Sequence, residues 1–581
     1  MQRFFYPFFR LMRLCTQNKA GVFGIAQFIF VLLLSLAGLA ISIRMIRWSN
    51  DFYNALQEIN GEEIVHQIGI FVVLVLSSAA LHLIGKYIQN LLEIRWRKLL
   101  TTSITNRWLS GHKHWYLKLD SNSDIVDNPE QRIAEDCKIF INLTVTQVHA
   151  LIMAIISVIS YFSVLWSLST FALSFNVFGY VVEIPRYMVW AAPLYVLISS
   201  GVTHFLGSPL RNLTVQQQRR EGDFRYALTH VRDSSEAIAL QRGEKQEQKH
   251  LQALFKAIET NWRQLNVRNL ILGCFTRPYY QTVLRIPMFL ALPAFIAGKV
   301  SLGGLMQLAS AFTNVVTTLS WFIFSYQDLA ELAASTRRLD QLLKKLNHNT
   351  VNDSDYAHQE DGYLSITNLQ LYTPTKEPLL FVKSLNVKPG ERIWLQGNSG
   401  IGKSTLLKSI AGLWPYTKGN VHYPSHQQSL YLPQTPYIPK QGILAALCYP
   451  NAKESLSLDE AKQLLDAVGL PHLIEKLSLS KEEQQATLNA LSGGERQRLA
   501  LARAVYLAPK WLFLDEASSA LDAESEAKIL TMLSEQLLES AIILLSHHKP
   551  HGFDYERHIL FRSDSASSTE SVSYTHLRAH E

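Results

Sequence analysis

Cysteine is scarce in this chain. Four residues, Cys15, Cys137, Cys274 and Cys448, are scattered over 581 positions, with no CxxC or Cys/His spacing among them. That argues against a thiolate metal site or a disulfide framework. Charge is also thin, at 18% against 48% hydrophobic residues, and the hydrophobic residues thin out after about residue 330, which suggests a membrane half followed by a soluble half. Acid is missing altogether from the first twenty residues, which carry Arg3, Arg10, Arg13 and Lys19. A small-residue cleavage site is missing after the first long apolar run, which is itself too long for a signal core, so no cleavable signal peptide is expected. The net charge of +7 does not gather into one patch. The basic residues lie in loops beside apolar runs, as in the cytoplasmic loops of membrane proteins, and a nucleic-acid partner is not expected.

What the chain does have is a series of charge-free apolar runs confined to its first 330 residues. Residues 21–43 are long enough, at about 1.5 Å per residue, to cross a hydrocarbon core of about 30 Å. Residues 145–168, 187–206 and 304–326 are similar, and 68–85 is shorter but sufficient. A sixth run, 280–297, is weaker because it holds Arg285, Pro287 and Pro293. Topology requires it. The basic N-terminus, the Lys/Arg-rich stretch 206–270 and the nucleotide-binding half described next all belong on the cytoplasmic side. Two crossings are therefore needed after residue 270. Six helices are expected, with outside loops near 44–67, 169–186 and 298–303 and long helical cytoplasmic extensions. Polar residues in such spans are costly and often functional. Arg285, His82 and Asn314 are the candidates for a solute cavity, with His149, His204 and Gln307 as polar company. Snorkelling or interhelical pairing is the alternative for Arg285.

The domain boundaries read as 1–345 for the helical half, 346–362 for an Asn/Asp/Ser-rich linker, and 363–562 for a second half of short apolar strands alternating with helices. That alternation is the mark of an α/β fold with a largely parallel sheet. "ERIWLQGNSGIGKSTLLKSIAGLW" reads as strand, glycine loop and helix. Gly397, Gly402, Lys403 and Ser404 fit G-x-x-x-x-G-K-[ST] within the loop Gly397, Asn398, Ser399, Gly400, Ile401, Gly402, Lys403, Ser404 and Thr405. Backbone N–H groups of such a loop cradle phosphates, the lysine reaches the β- and γ-phosphates, and the Ser404 hydroxyl takes Mg²⁺. The apolar strand "KWLFLDE" delivers Asp515 to the Mg²⁺ shell, followed by Glu516, which is suited to orienting or deprotonating water. A strand-end Asp-Glu pair also serves as a helix cap. A second donor-rich turn, Ser492-Gly493-Gly494 in "ALSGGERQRLALARAV", lies far along the chain from the first.

These segments, with "LYLPQTPY", "SSALD" and "LLSHH" in the same order, resemble the ABC transporter ATPase. The resemblance implies an adenine-stacking role for Tyr372 and a Q-loop role for Gln434, which also touches Mg²⁺. It implies a signature turn at Ser492, Gly493 and Gly494, a D-loop ending in Asp522, and a switch histidine at His547, with His548 a bystander. In that family the signature turn of one ATPase closes over ATP on the P-loop of another. One P-loop and one signature thus imply half a transporter, working as a homodimer or with a sister chain. The implied architecture is a six-span, exporter-like, type IV transmembrane domain followed by a P-loop ATPase. "LLEIRWRKLLTTSITNRWL", "DNPEQRIAED" and "VRDSSEAIALQRGE" resemble the subgroup of peroxisomal acyl-CoA transporters and BacA/SbmA-like bacterial proteins, including fused YddA-like inner-membrane proteins. A bulky, partly hydrophilic solute such as a peptide or corrinoid is expected. An acyl-CoA or lipid solute and a membrane ATPase that regulates a partner without transport are the alternatives. Residues 563–581 match neither half and read as a disordered, non-native tail.

Overall fold

The computed structural model describes residues 2–119, 129–177, 180–347, 356–360, 362–425, 428–451, 456–561 and 571–574. It divides into two compact units. The first comprises residues 1–107 and 127–344, the second residues 108–126 and 345–581.

Among the described residues the first unit is helical apart from one hairpin. In chain order its elements are α1 (Gln2–Thr16), α2 (Lys19–Gln57), α3 (Gly61–Leu109), then, after α4 (Lys113–Leu119) of the second unit, α5 (Pro129–Gln131) and α6 (Cys137–Leu168). There follow β1 (Ala172–Val177), β2 (Tyr180–Pro185), α7 (Tyr187–Asp233), α8 (Ser235–Gln241), α9 (Glu244–Ile296), α10 (Leu302–Leu319) and α11 (Trp321–Asn347). Among the described residues, four helical stretches are long and apolar enough to cross a membrane: Lys19–Gln57, Gly61–Leu119, Pro129–Leu168 and Tyr187–Asp233. Many of their apolar side chains, such as Val72, Val73 and Leu76 on α3, are exposed, as a lipid-facing surface requires. The end of α9 carries the shorter apolar stretch Arg285–Ile296.

A packed seam joins these helices. Leu39 and Ile46 of α2, Leu165 of α6, Ala291 of α9 and Leu308 and Phe312 of α10 share one buried cluster, and the Tyr187 hydroxyl donates to the Leu290 carbonyl. Elsewhere in the unit, ion pairs tie α11 to α1 and to the residue before α6. Arg10 meets Asp340 at 2.5 Å, Lys344 meets the same carboxylate at 2.9 Å, and Arg338 meets Asp136 at 2.5 Å. Arg132, from the "DNPEQR" stretch, donates to the Arg338 carbonyl at 2.9 Å. Asn128 lies outside the described residues.

Two details differ from the sequence expectation. The run 304–326 is not one helix, because it breaks at Ser320 between α10 and α11. Hydroxyls crowd the break. Thr317 donates to Thr313 O, Thr318 to Asn314 O and Ser320 to Val316 O, each one turn back. Such back-bonding bends and ends helices. The expected outer loop 169–186 contains the antiparallel β1–β2 hairpin, in register from Ala172↔Pro185 to Val177↔Tyr180.

The second unit is built on β3 (Tyr356–Glu360), β4 (Leu364–Tyr372), β5 (Pro378–Val387), β6 (Arg392–Gly397), α12 (Lys403–Ile410), β7 (Thr417–Tyr423) and β8 (Ser429–Leu432). It continues through α13 (Ile443–Cys448), α14 (Leu458–Ala467), α15 (His472–Lys476), α16 (Lys481–Ala490), α17 (Gly493–Leu507), β9 (Trp511–Asp515), α18 (Ala523–Gln536), β10 (Ala541–Ser546), β11 (Arg557–Phe561) and β12 (Ser571–Tyr574). One sheet runs β12-β11-β6-β10-β9-β8, parallel except at β12, and a smaller one runs β3-β7-β4-β5. Strand β10, "AIILLS", is buried along almost its whole length, as a central parallel strand covered on both faces must be. On one face Leu395, Leu406, Phe513 and Leu545 join the core shared with the small sheet, and on the other Leu501, Leu514, Leu530 and Leu544 pack under α17 and α18. Where the sequence suggests a disordered tail, Ser571–Tyr574 pairs antiparallel with Arg557–Phe561. The free edge of β11 offers unpaired backbone groups that such a segment can satisfy.

Candidate functional site

Parallel pairing assembles the site. β10 sits between β6 and β9, with Ser546 opposite Gln396 and Leu545 opposite Asp515. The P-loop, the Asp515-Glu516 pair and His547 therefore leave the sheet at one carboxyl edge, where ligands of open α/β sheets bind. Gly402 ends the loop at φ +107°, and an added Cβ would meet the Leu379 side chain at 3.0 Å, so only glycine fits there. Helix α12 then starts at Lys403, directing its N-terminal N–H groups and dipole to the loop.

Lys403 is buried. Its ammonium donates to Gly397 O at 2.5 Å and Asn398 O at 3.2 Å, and lies 3.3 Å from His547 Nδ1. Burial pulls its pKa below the ordinary lysine value, against the opposing pull of Glu516 and Asp515. The Ser404 hydroxyl donates to Asp515 Oδ1 at 2.9 Å, across 111 residues of chain. Burial pushes the Asp515 carboxyl up, the Ser404 bond resists, and the neighbouring Glu516 adds to the rise. Glu516 is held from both sides: Oε1 lies 2.8 Å from His547 Nε2, and Oε2 accepts from Gln434 Nε2 at 3.0 Å. Its backbone is left-handed, at φ +49°, a conformation that a non-glycine residue keeps only when its surroundings enforce it.

Seven expected site residues, Gly397, Asn398, Lys403, Ser404, Asp515, Glu516 and His547, thus meet in one place, with Gln434 beside them. Tyr372 ends β4 opposite Pro378, whose chain neighbours Leu379 and Leu380 lie against Gly402. Ser492 is elsewhere engaged. Its hydroxyl accepts from Glu495 N at 3.3 Å, while Glu495 Oε2 accepts from Ser492 N at 2.8 Å, a capping box at the start of α17. Among the described residues no hydrogen bond joins Ser492, Gly493 or Gly494 to the loop 397–405. Asp522 caps α18 through Ser525 N. The three cavity candidates lie on separate helices: His82 is exposed on α3, Arg285 is exposed on α9, and Asn314 is half-buried on α10.

The hard oxygens of Ser404 and Asp515, with the Gln434 amide, suit Mg²⁺, which takes one or two carboxylates and completes its shell with substrate phosphates and water. Among the described residues no cluster of three or more His, Cys, Asp or Glu is placed to hold a metal ion.

Two sets of residues went unassigned at the sequence level. Gln497 is buried behind Glu516, and Arg503, also buried, donates to Ala446 O and Tyr437 O. The second set is on α4. Trp115 Nε1 donates to Leu413 O and the Tyr116 hydroxyl to Gly412 O, each at 2.8 Å, and Lys408 Nζ lies 5.6 Å from the Trp115 ring centre. A Trp-Tyr pair in a polar stretch was the available signal.

A P-loop, a strand-end Asp-Glu pair and a histidine on one parallel sheet, joined to a bundle of apolar helices, define a membrane-bound nucleoside-triphosphatase. Residues 13–296 match the family described as ABC transporter transmembrane region 2, and residues 381–519 match that described as ABC transporter. The inner membrane ABC transporter ATP-binding protein YddA of Escherichia coli strain K12 is 34% identical over 544 residues, covering 91% of this chain and 92% of that one. The human lysosomal cobalamin transporter ABCD4 is 26% identical, over 79% and 78% of the two chains. The chain belongs to the ABC transporter family, as a half-transporter that fuses a transmembrane region to its ATPase. It binds ATP, and its ATPase activity is coupled to transport. A bacterial Atm1-family ABC exporter with ATP bound shares its fold, with TM-score 0.72 at 16% identity, over 92% of this chain and 93% of the other.

Proposed function

We infer that the chain works as a homodimer in a bacterial inner membrane, with six membrane helices per copy and the ATPase unit in the cytoplasm. ATP is held by the P-loop of one copy and closed over by Ser492-Gly493-Gly494 of the other. Gly397, Asn398, Ser399, Gly400, Ile401, Gly402, Lys403, Ser404 and Thr405 hold the phosphates, Tyr372 stacks on adenine, and Asp522 lies at the subunit contact. Ser404, Gln434 and Asp515 hold Mg²⁺, which supplies charge neutralisation between the phosphates. Glu516 orients and deprotonates water, and His547 contacts the γ-phosphate. ATP adds contacts that exist only in the closed dimer, and a ligand that binds one state better shifts the population toward it.

The observation that carries the dimer is the separation of the two phosphate-binding turns. Ser492 caps its own helix, and among the described residues no hydrogen bond joins it to its own P-loop, which supports a turn that serves a second copy. Dimers mixed from Lys403→Ala and Ser492→Arg chains test this. One site should stay intact and active; an inactive one-to-one mixture would sink the head-to-tail arrangement.

The transported solute is bulky and partly hydrophilic, a peptide or corrinoid. Polar side chains along α6 support this: His149 meets Ser35 at 2.9 Å, Gln147 donates to Asp328 at 2.7 Å and Asn142 to Glu93 at 2.8 Å. Labelled peptides, cobalamin and acyl-CoA, each tested for ATP-dependent flux in vesicles, decide the matter. Flux of acyl-CoA alone would replace this reading with a lipid transporter, and ATPase activity without any flux would make it a regulator.

A further inference from the structure

The Gln497 side chain lies one turn into α17 and is only 3% exposed. Its Nε2 donates to Gln434 O at 3.0 Å and to Glu516 O at 3.3 Å, and lies 3.4 Å from Ser519 Oγ. Its Oε1 accepts from Ala520 N at 2.9 Å. A single amide thus ties together the backbones of the Q-loop, the left-handed Glu516 and the D-loop. The same D-loop presses on the start of α17, since a Cβ added to Gly494 would meet Ala520 O at 2.9 Å. Helix α17 therefore carries the signature turn at its N-terminus and grips the hydrolytic residues of its own chain one turn later.

We propose that Gln497 is a positioning residue that couples the two nucleotide sites of the dimer. It fixes Glu516 and Gln434 in register with a signature turn that serves the partner's ATP, so closure at one site sets the hydrolytic geometry at the other. This rests on the head-to-tail reading above. The physical basis is rigidity. Glu516 holds its positive φ against local preference, and its carbonyl is fixed by Gln497 Nε2 and by Ser519 N at 3.1 Å. Movement of the α17 N-terminus cannot leave that carbonyl undisturbed.

Gln497→Glu tests it while keeping shape and the acceptor for Ala520 N. The new carboxylate oxygen faces the carbonyls of Gln434 and Glu516, where a donor stood. Turnover should fall about 10- to 100-fold while ATP affinity, set by an untouched P-loop, stays within about two-fold, the pattern of an interaction needed for the chemical step. Turnover should recover as pH falls and the carboxyl regains a proton to donate. Retained ATP affinity also shows that the variant folds. The coupling is read from a second pair of mixed dimers. Wild type is combined with a chain carrying both Gln497→Glu and Glu516→Gln, and compared with wild type combined with Glu516→Gln alone. In both, the one active site uses wild-type Gln497 and Glu516; only the signature-bearing chain differs. Because Gln497 stands one turn behind the signature turn that closes over that active site, the first mixture should be several-fold slower. Equal rates, or a Gln497→Glu enzyme that turns over normally, would overturn the proposal. If the head-to-tail reading itself is wrong, the Lys403→Ala and Ser492→Arg mixture is inactive whatever stands at 497, so the two failures are distinct.

Discussion

The contact of α4 with the ATPase core can be broken by removing its two side-chain donors while keeping an aromatic ring at each position. Trp115→Phe deletes the Nε1–H that meets Leu413 O, and Tyr116→Phe deletes the hydroxyl that meets Gly412 O, each bond being 2.8 Å long. Aromatic rings remain at both positions. A typical hydrogen bond contributes about 1 kcal/mol net. Losing both weakens the seating of α4 by about 2 kcal/mol, or roughly 30-fold, at 1.4 kcal/mol per factor of ten. Both acceptors follow α12, the helix that starts at the P-loop Lys403, and α4 follows the membrane helix α3 in the chain. The double variant should therefore continue to hydrolyse ATP while moving much less solute per ATP. Phosphate release and labelled-solute uptake, measured together in the same vesicles, give that ratio. A ratio equal to wild type, whether both activities are kept or both fall in proportion, would refute this reasoning.

Other expectations concern the site itself. Glu516→Gln keeps the side chain's size beside His547 and Gln434 but removes the base. ATP binding should persist while turnover falls by ~100-fold or more, the usual contribution of general-base catalysis, as measured by equilibrium nucleotide binding and steady-state phosphate release. Asp515 has a raised carboxyl pKa because it is buried. The folded protein then binds that proton more tightly than the unfolded chain. The stability this contributes is present below the ordinary aspartate range and is lost as pH rises through the raised value. Asp515→Asn should accordingly raise the melting temperature of nucleotide-free protein at neutral pH, with the gain disappearing in acid, and should abolish the extra stabilisation given by Mg²⁺ with ATP; a pH series of thermal melts reads both. Arg503→Met strands the carbonyls of Ala446 and Tyr437 that the buried guanidinium serves. With charged hydrogen bonds contributing about 1.5–3 kcal/mol, the ATPase unit should melt several degrees lower in calorimetry.

The parts of this site that the sequence makes readable are those whose chemistry is local. The P-loop is nine consecutive residues, and Asp515-Glu516 ends an apolar strand. What neighbours what across the sheet is not local. The contact of His547 with Glu516 depends on β10 lying between β6 and β9, and a string of strands does not give their order. Gln497 sits in plain view inside "LSGGERQR", yet its role depends on three backbone groups, of Gln434, Glu516 and Ala520, converging on one amide. In the helical unit, hydropathy gives the depth of a residue but not the direction it faces. Arg285, His82 and Asn314 are therefore picked for polarity alone, and they stand on three different helices, α9, α3 and α10. The break at Ser320 was hidden for the opposite reason. Thr and Ser are mild enough in hydropathy to pass as part of a span, while their hydroxyls compete for the carbonyls that hold a helix straight.

The division of the chain has a practical side. A cut at the linker near residue 345 looks natural, but it takes residues 108–126 away from the compact unit to which they belong. An ATPase fragment prepared that way would bare the Gly412 and Leu413 carbonyls and the flank of Lys408. It should be stickier than its composition suggests, and a short peptide spanning Lys113–Leu119, supplied in trans, should quiet it.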